Sequence, residues 1–327
     1  MLVNIDKYRI LILVLFLPVL LGCKNNKASQ DSELKEILWT ASWSPDGKYI
    51  AIGGNQDTLR IFSGSNFKLI KNYPLKNTIT KLKWHPNENL LAIATQISTE
   101  KISVLDFSEE TFIYLDSISK DGARGIDWNY TGDLLAVGDN DGQLTIFTKN
   151  GEFIRQIKSE QKSITDLSWH PFKNILVTVG RQIEMYDYTK DTSLSIKPRP
   201  YDVLMLCVEW HKSGDFFVTG DYGDYDKNYP ALLQFWDEGG EKIKETQESK
   251  AEYRNLRWDM DGKNLATASD ALRIWSVDGE LIGMGKSKAL LWGVDWSNDQ
   301  QKLVTSSENG EIVIWNNEPN PIKKIKY

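Results

Sequence analysis

Cysteine is nearly missing: the 327 residues contain only Cys23 and Cys207, too few for a disulfide framework to hold a fold of this size. No block of five or more Lys and Arg appears, and the net charge is −6 with a pI near 5.3. The basic stripe that tracks a phosphate backbone is therefore absent, which makes nucleic acid a poor candidate partner, and none is expected. Prolines are few at 10, and the 23 glycines are dispersed, which argues against a disordered region. The apolar run Ile10 to Leu21 is interrupted by Pro18 and falls short of the roughly 20 residues that span a bilayer as a helix. No Ser-His-Asp arrangement, phosphate-cradling glycine loop or activated cysteine can be read. What is present is the composition of an ordinary globular protein, 41% apolar and 26% charged, with ample material for a large core.

The beginning of the chain reads as an address. Lys7 and Arg9 precede the apolar run, which ends at Leu20-Leu21-Gly22-Cys23. That order of charge, apolar stretch, small residue and cysteine resembles the lipobox of bacterial lipoproteins. The resemblance implies that residues 1–22 are a signal peptide and that Cys23 becomes acylated with palmitate or a similar chain. Residues 23–36 are polar and aperiodic and are expected to act as a flexible tether, spanning on the order of 20 Å. The expected location is a bacterial membrane, on the side away from the cytoplasm.

Past the tether the chain repeats. Trp43, Trp84, Trp128, Trp169, Trp210, Trp258 and Trp296 are spaced by 41, 44, 41, 41, 48 and 38 residues. Each closes a short apolar alternation and opens a turn, as in Ala41-Ser42-Trp43-Ser44-Pro45-Asp46-Gly47 or Leu167-Ser168-Trp169-His170-Pro171. A second short apolar run follows, such as Leu134-Leu135-Ala136-Val137, then a third that ends in a large side chain, such as Leu272-Arg273-Ile274-Trp275. Runs of this length between turns are strands. A polar fourth strand completes most units, and Pro321 to Tyr327 is expected to complete the seventh.

Units of about 40 residues with four strands resemble the WD40 family. The resemblance covers residues 37–327 and implies an all-β fold, a seven-bladed β-propeller of four-stranded antiparallel blades. Only Phe235-Trp236-Asp237 carries the family's Trp-Asp in full, and the Gly-His pair before the first strand is missing. The seven recurrent tryptophans are expected to be scaffold, each removing some 150–250 Å² from water. Their equivalence also assigns His85, His170 and His211, which follow three of them, to turns rather than to a metal or catalytic site. Cys207 reads as a small buried hydrophobe.

Where the units differ, function is expected. Four residues before each repeat Trp stand Trp39, Thr80, Arg124, Thr165, Leu206, Arg254 and Trp292. In resembling proteins this position contacts peptides on the upper face, and Trp39, Arg124, Arg254 and Trp292 are of the types that dominate binding hot spots. The bland alternative is that the Trp plug the channel while the Arg pair with neighbouring Asp. The fifth unit adds a loop, Gly220 to Pro230, whose Tyr222, Tyr225 and Tyr229 offer an aromatic lip for a peptide or sugar. Asp221, Asp224 and Asp226 there are also candidates for Ca²⁺, or simply a solvated insertion. The resulting expectation is a non-catalytic scaffold: a monomeric propeller without cofactor or metal, binding a protein or peptide of the cell envelope. The alternatives are a propeller hydrolase or lyase, a carbohydrate-binding lipoprotein acting in the channel, or a structural subunit of an envelope machine.

Overall fold

The computed structural model describes residues 36–96, 102–116, 118 and 120–326. Cys23, the signal segment and the tether as far as Lys35 lie outside these residues. Glu36 already belongs to the first blade, where its carboxylate meets Arg60 at 2.7 Å.

Seven antiparallel sheets of four strands follow one another, and within every sheet the strands lie in chain order. The first strands are Leu38–Trp43, Ile79–Trp84, Ala123–Trp128, Asp166–Trp169, Met205–Trp210, Asn255–Trp258 and Leu291–Trp296. Each touches the first strand of the next blade, and the seventh touches the first, so together they form a closed inner ring. The fourth strands, from Leu69–Pro74 to Pro321–Lys326, are mostly exposed and form the rim. The four strands of blade seven, Leu291–Trp296 to Pro321–Lys326, all come from the last residues of the described chain, and among the described residues no earlier strand joins them.

The cores lie between blades rather than within them. There are seven clusters, one for each junction, and each contains the repeat Trp of the later blade packed on the earlier one. The closing junction is built like the rest: Leu38, Ala41 and Trp43 pack with Val304, Ile312 and Ile314. Burial of one such Trp is worth about 4–6 kcal/mol at most, from its area and ~25 cal/mol per Å².

Two sets of polar contacts fix the angle between neighbouring blades. The residue before each repeat Trp reaches toward the following blade. Asp127, Ser168, Glu209 and Asp295 accept the main-chain N–H of Trp169, Trp210, Trp258 and Trp43. At the other three junctions this residue is Ser42, Lys83 or Arg257, and the indole of the next Trp (Trp84, Trp128 or Trp296) donates to its carbonyl instead. Lys83 and Arg257 have nothing to accept with, and the Ser42 hydroxyl is turned back to Asp295 of the preceding blade, to which it donates.

The histidines supply the second set. Nε2 of His85, His170 and His211 donates to the carbonyl of Gly132, Gly214 and Gly262 on the next blade, at 3.0, 3.1 and 2.7 Å. Their Nδ1 accepts turn N–H groups, which assigns the proton to Nε2. These glycines have φ of +83°, +78° and +69°, and a Cβ on any of them would strike the imidazole. The expectation that the histidines belong to turns is met, and they also join blades.

Candidate functional site

The column four residues before the repeat Trp is set apart by its backbone. In blades one, two, three, five and seven the pairing of the first two strands slips at this residue, leaving Trp39, Thr80, Arg124, Leu206 and Trp292 as extra residues of a β-bulge. In blades four and six the residue lies just before the strand, and Thr165 and Arg254 donate to the carbonyls of Val179 and Ala268. An extra residue breaks the two-residue alternation and re-aims the side chain. Thr80 and Thr165 accordingly bond to Ala123 and Met205 carbonyls of the following blades.

The large members of the column converge. The Trp39 and Trp292 rings lie 4.9 Å apart, tilted by 43°. The Arg254 guanidinium stacks 3.7 Å from the Trp292 ring centroid, and that of Arg124 reaches from blade three to lie 5.1 Å from the Trp39 centroid. Residues from blades one, three, six and seven thus meet over the channel. Burial holds the pKa of both arginines below its usual value; the neighbouring Arg254 adds to this for Arg124, while Glu252 opposes it for Arg254. Arg254 is bonded to Glu252, so its partner is a Glu rather than the Asp of the bland alternative. Arg124 has no ion-pair partner among the described residues. Nε1 of Trp39, Nε1 of Trp292 and Nε of Arg254 are buried without a hydrogen-bond partner among the described residues. Leu206, partly buried, adds an apolar edge.

Below the mouth lies a layer that sequence reasoning did not single out. Lys81 reaches Asp166 two blades on at 2.9 Å, past Gly125 of the intervening blade. Lys83 meets Asp127 at 3.2 Å, and Arg257 bridges Glu209 and Asp295 at 3.4 and 3.7 Å. Lys81, Asp127, Asp166, Glu209 and Arg257 are buried, Lys83 and Asp295 are partly so, and all are paired. Burial lowers the Lys83 pKa and raises that of Asp295; for Glu209 burial is outweighed by Arg257, Lys212 and Lys83, and the carboxyl stays below its usual range. The signal was present as charges of both signs one residue before the repeat Trp, at Lys83, Asp127, Glu209, Arg257 and Asp295, and three residues before it, at Lys81 and Asp166.

The blade-five loop divides. Tyr222 is half-buried and its phenol pKa is raised, first by burial and then by Glu252, which places it beside the Arg254 corner of the mouth. Tyr225 is exposed on a short 3-10 turn, Tyr225–Lys227, and also feels Glu252. Tyr229 stacks on Tyr201, with centroids 3.5 Å apart, and is taken up by that contact. The calcium alternative fails on its donors. Asp221 is buried on Arg199 at 3.1 Å, with a pKa pushed up to about 6 by burial, while Asp224 caps the turn and pairs with Lys227 at 2.8 Å. No group of three or more His, Cys, Asp or Glu suited to a metal occurs among the described residues. Cys207 is buried, with its thiol against the carbonyl of Tyr253 and its pKa pushed far up by burial, as expected of an inert hydrophobe.

Comparison with known proteins agrees with this architecture. The family description "WDR19 first beta-propeller" matches residues 39–204, and "WD domain, G-beta repeat" matches residues 279–316. The mouse (Mus musculus) intraflagellar transport protein 80 homolog is 23% identical over 189 residues, covering 57% of this chain and 23% of that protein. The anaphase-promoting complex subunit cdc20 of Dictyostelium discoideum is 22% identical over 265 residues, covering 76% and 50%. Subunit I of eukaryotic translation initiation factor 3 from Sclerotinia sclerotiorum is 24% identical over 198 residues, covering 51% and 58%. The chain thus spans between about a quarter and three-fifths of the length of these curated relatives, all of which are eukaryotic. With seven blades, a repeat Trp at every junction and a family match across half its length, the chain belongs to the WD-repeat β-propeller family.

Proposed function

We propose that this propeller is a non-catalytic interaction scaffold that receives a peptide or protein segment at the channel mouth and is held at a membrane, outside a bacterial cytoplasm, by lipid on Cys23. The observation that carries the binding reading is the convergence of Trp39, Trp292, Arg124 and Arg254 on bulges from four blades, with buried donors left unpartnered. The acidic and basic groups deeper in the channel are committed to one another, which favours binding over acid–base chemistry. Two of the relatives are by name subunits of larger complexes, in keeping with a role in an assembly. The anchor reading rests on Leu20-Leu21-Gly22-Cys23 after a short apolar run.

Crosslinking and pulldown from intact cells test the binding face. With Trp39→Ala and Trp292→Ala combined, and the fold verified by circular dichroism, the co-purifying partner is expected to disappear. An unchanged partner list refutes this reading. Separately, Cys23→Ser is expected to release the protein into the soluble fraction and abolish palmitate incorporation; retention of both sinks the anchor reading.

A further inference from the structure

We propose that the channel mouth is a carboxylate subsite, taking one Asp, Glu or C-terminal carboxylate of an acidic segment; this rests on the mouth being the partner-binding face. Every unpartnered buried polar atom of the four converging residues is a donor: two indole N–H groups and the Nε–H of Arg254. Only an acceptor satisfies such a set. The charge count then selects among acceptors. Glu252 offsets Arg254, and Arg124 is left as a cation without an ion-pair partner among the described residues. A cation so buried is relieved by one negative charge. Glu252, with Glu308 also acting on Arg254, makes a dianion such as a phosphate monoester the poorer guest.

Geometry narrows the choice further. Each indole ring lies against a guanidinium, and its Nε1 is buried there without a partner, a pair of donors suited to the planar fork of a carboxylate. Unpartnered indoles are not special in themselves here, since Trp43, Trp169, Trp210 and Trp258 have them too. Those four are sealed in apolar clusters between blades. At the mouth the indoles border two guanidinia, Trp292 is only 9% exposed, and Trp39 keeps partial access to solvent.

The test uses the full chain in mild detergent, with its 12 indole N–H resonances observed by ¹⁵N NMR and assigned by single Trp→Phe variants. Four probes are titrated: N-acetylglutamate amide, N-acetylalanine, N-acetylglutamine amide and end-blocked O-phosphoserine. The Trp39 and Trp292 resonances are expected to shift saturably with at least one of the two carboxylates, and which one responds tells a side chain from a chain terminus. The glutamine probe is expected to leave them still. Arg124→Gln should weaken saturation tenfold or more, with the repeat-Trp resonances unmoved as a check on folding, and Arg124→Lys should restore part of it. Silence toward both carboxylates, an equal response to glutamine, or tighter binding of phosphoserine overturns the subsite. If carboxylates are ignored while the Trp39 and Trp292 double variant still loses its partner, the subsite falls and the scaffold reading stands. Carboxylate binding beside an unchanged partner list upholds the subsite and refutes the partner face.

Discussion

The channel interior and the channel mouth are built from the same strands, a few residues apart, and both bury arginine. Arg257 inside bridges Glu209 and Asp295, whereas Arg124 at the mouth lies over an indole with no carboxylate among the described residues to meet it. Burial and charge are therefore common to scaffold and site. The difference is in the partners: each of those interior charges meets one of opposite sign, and Arg124 does not among the described residues.

That comparison breaks most visibly if one interior charge is removed. Arg257→Met removes the cation that Glu209 and Asp295 share and is expected to cost about 3–5 kcal/mol, read as a fall in the urea midpoint at constant m. Next comes a blade junction: His170→Ala loses the bond to Gly214 and leaves the N–H groups of Phe172 and Lys173 without their acceptor, about 1–3 kcal/mol by the same measurement. A third effect is pH. Burial lowers the His85 and His170 pKa below 6.5, so the unfolded chain binds more protons as pH falls through that value. Stability is then complete above about pH 6.5 and declines as the medium turns acid, until the folded imidazoles titrate as well, with a limiting slope of ~1.4 kcal/mol per pH unit for each group. Urea midpoints between pH 5 and 7.5 should show this, and an His85→Asn, His170→Asn pair should flatten it. The smallest change is expected at the mouth, where Arg124→Gln removes an uncompensated cation and should move stability by no more than about 0.5 kcal/mol in either direction. A loss as large as that of Arg257→Met would erase the distinction between the two levels.

The ring was legible because a seven-fold Trp period has few physical explanations other than seven equal junctions. The histidines were legible for the same reason, although their reach to the next blade's glycine depends on a positive φ that residue types only suggest. The column of Trp39, Arg124, Arg254 and Trp292 stood out by its irregularity. Its bulges did not, since pairing register is a property of two strands together. The loop of blade five shows the limit of composition: its tyrosines and aspartates look alike on paper, yet Asp221 is claimed by Arg199 from a distant turn and Tyr229 by Tyr201. Lys83, Glu209 and Arg257 were in plain sight one residue before the Trp, but their pairing needs the ring closed to bring blades two, five and six together.

The closing junction has a consequence for synthesis. Trp43 emerges early from the ribosome, while Asp295, the acceptor of its amide, follows 252 residues later, with Val304, Ile312 and Ile314 behind it. At a translation rate of about 5–20 residues per second, one face of blade one waits tens of seconds without its partner. Every other blade receives its preceding neighbour before it is itself complete. The apolar side of blade one is thus the surface that a holding chaperone must shield longest, and truncation anywhere before blade seven leaves that same surface bare.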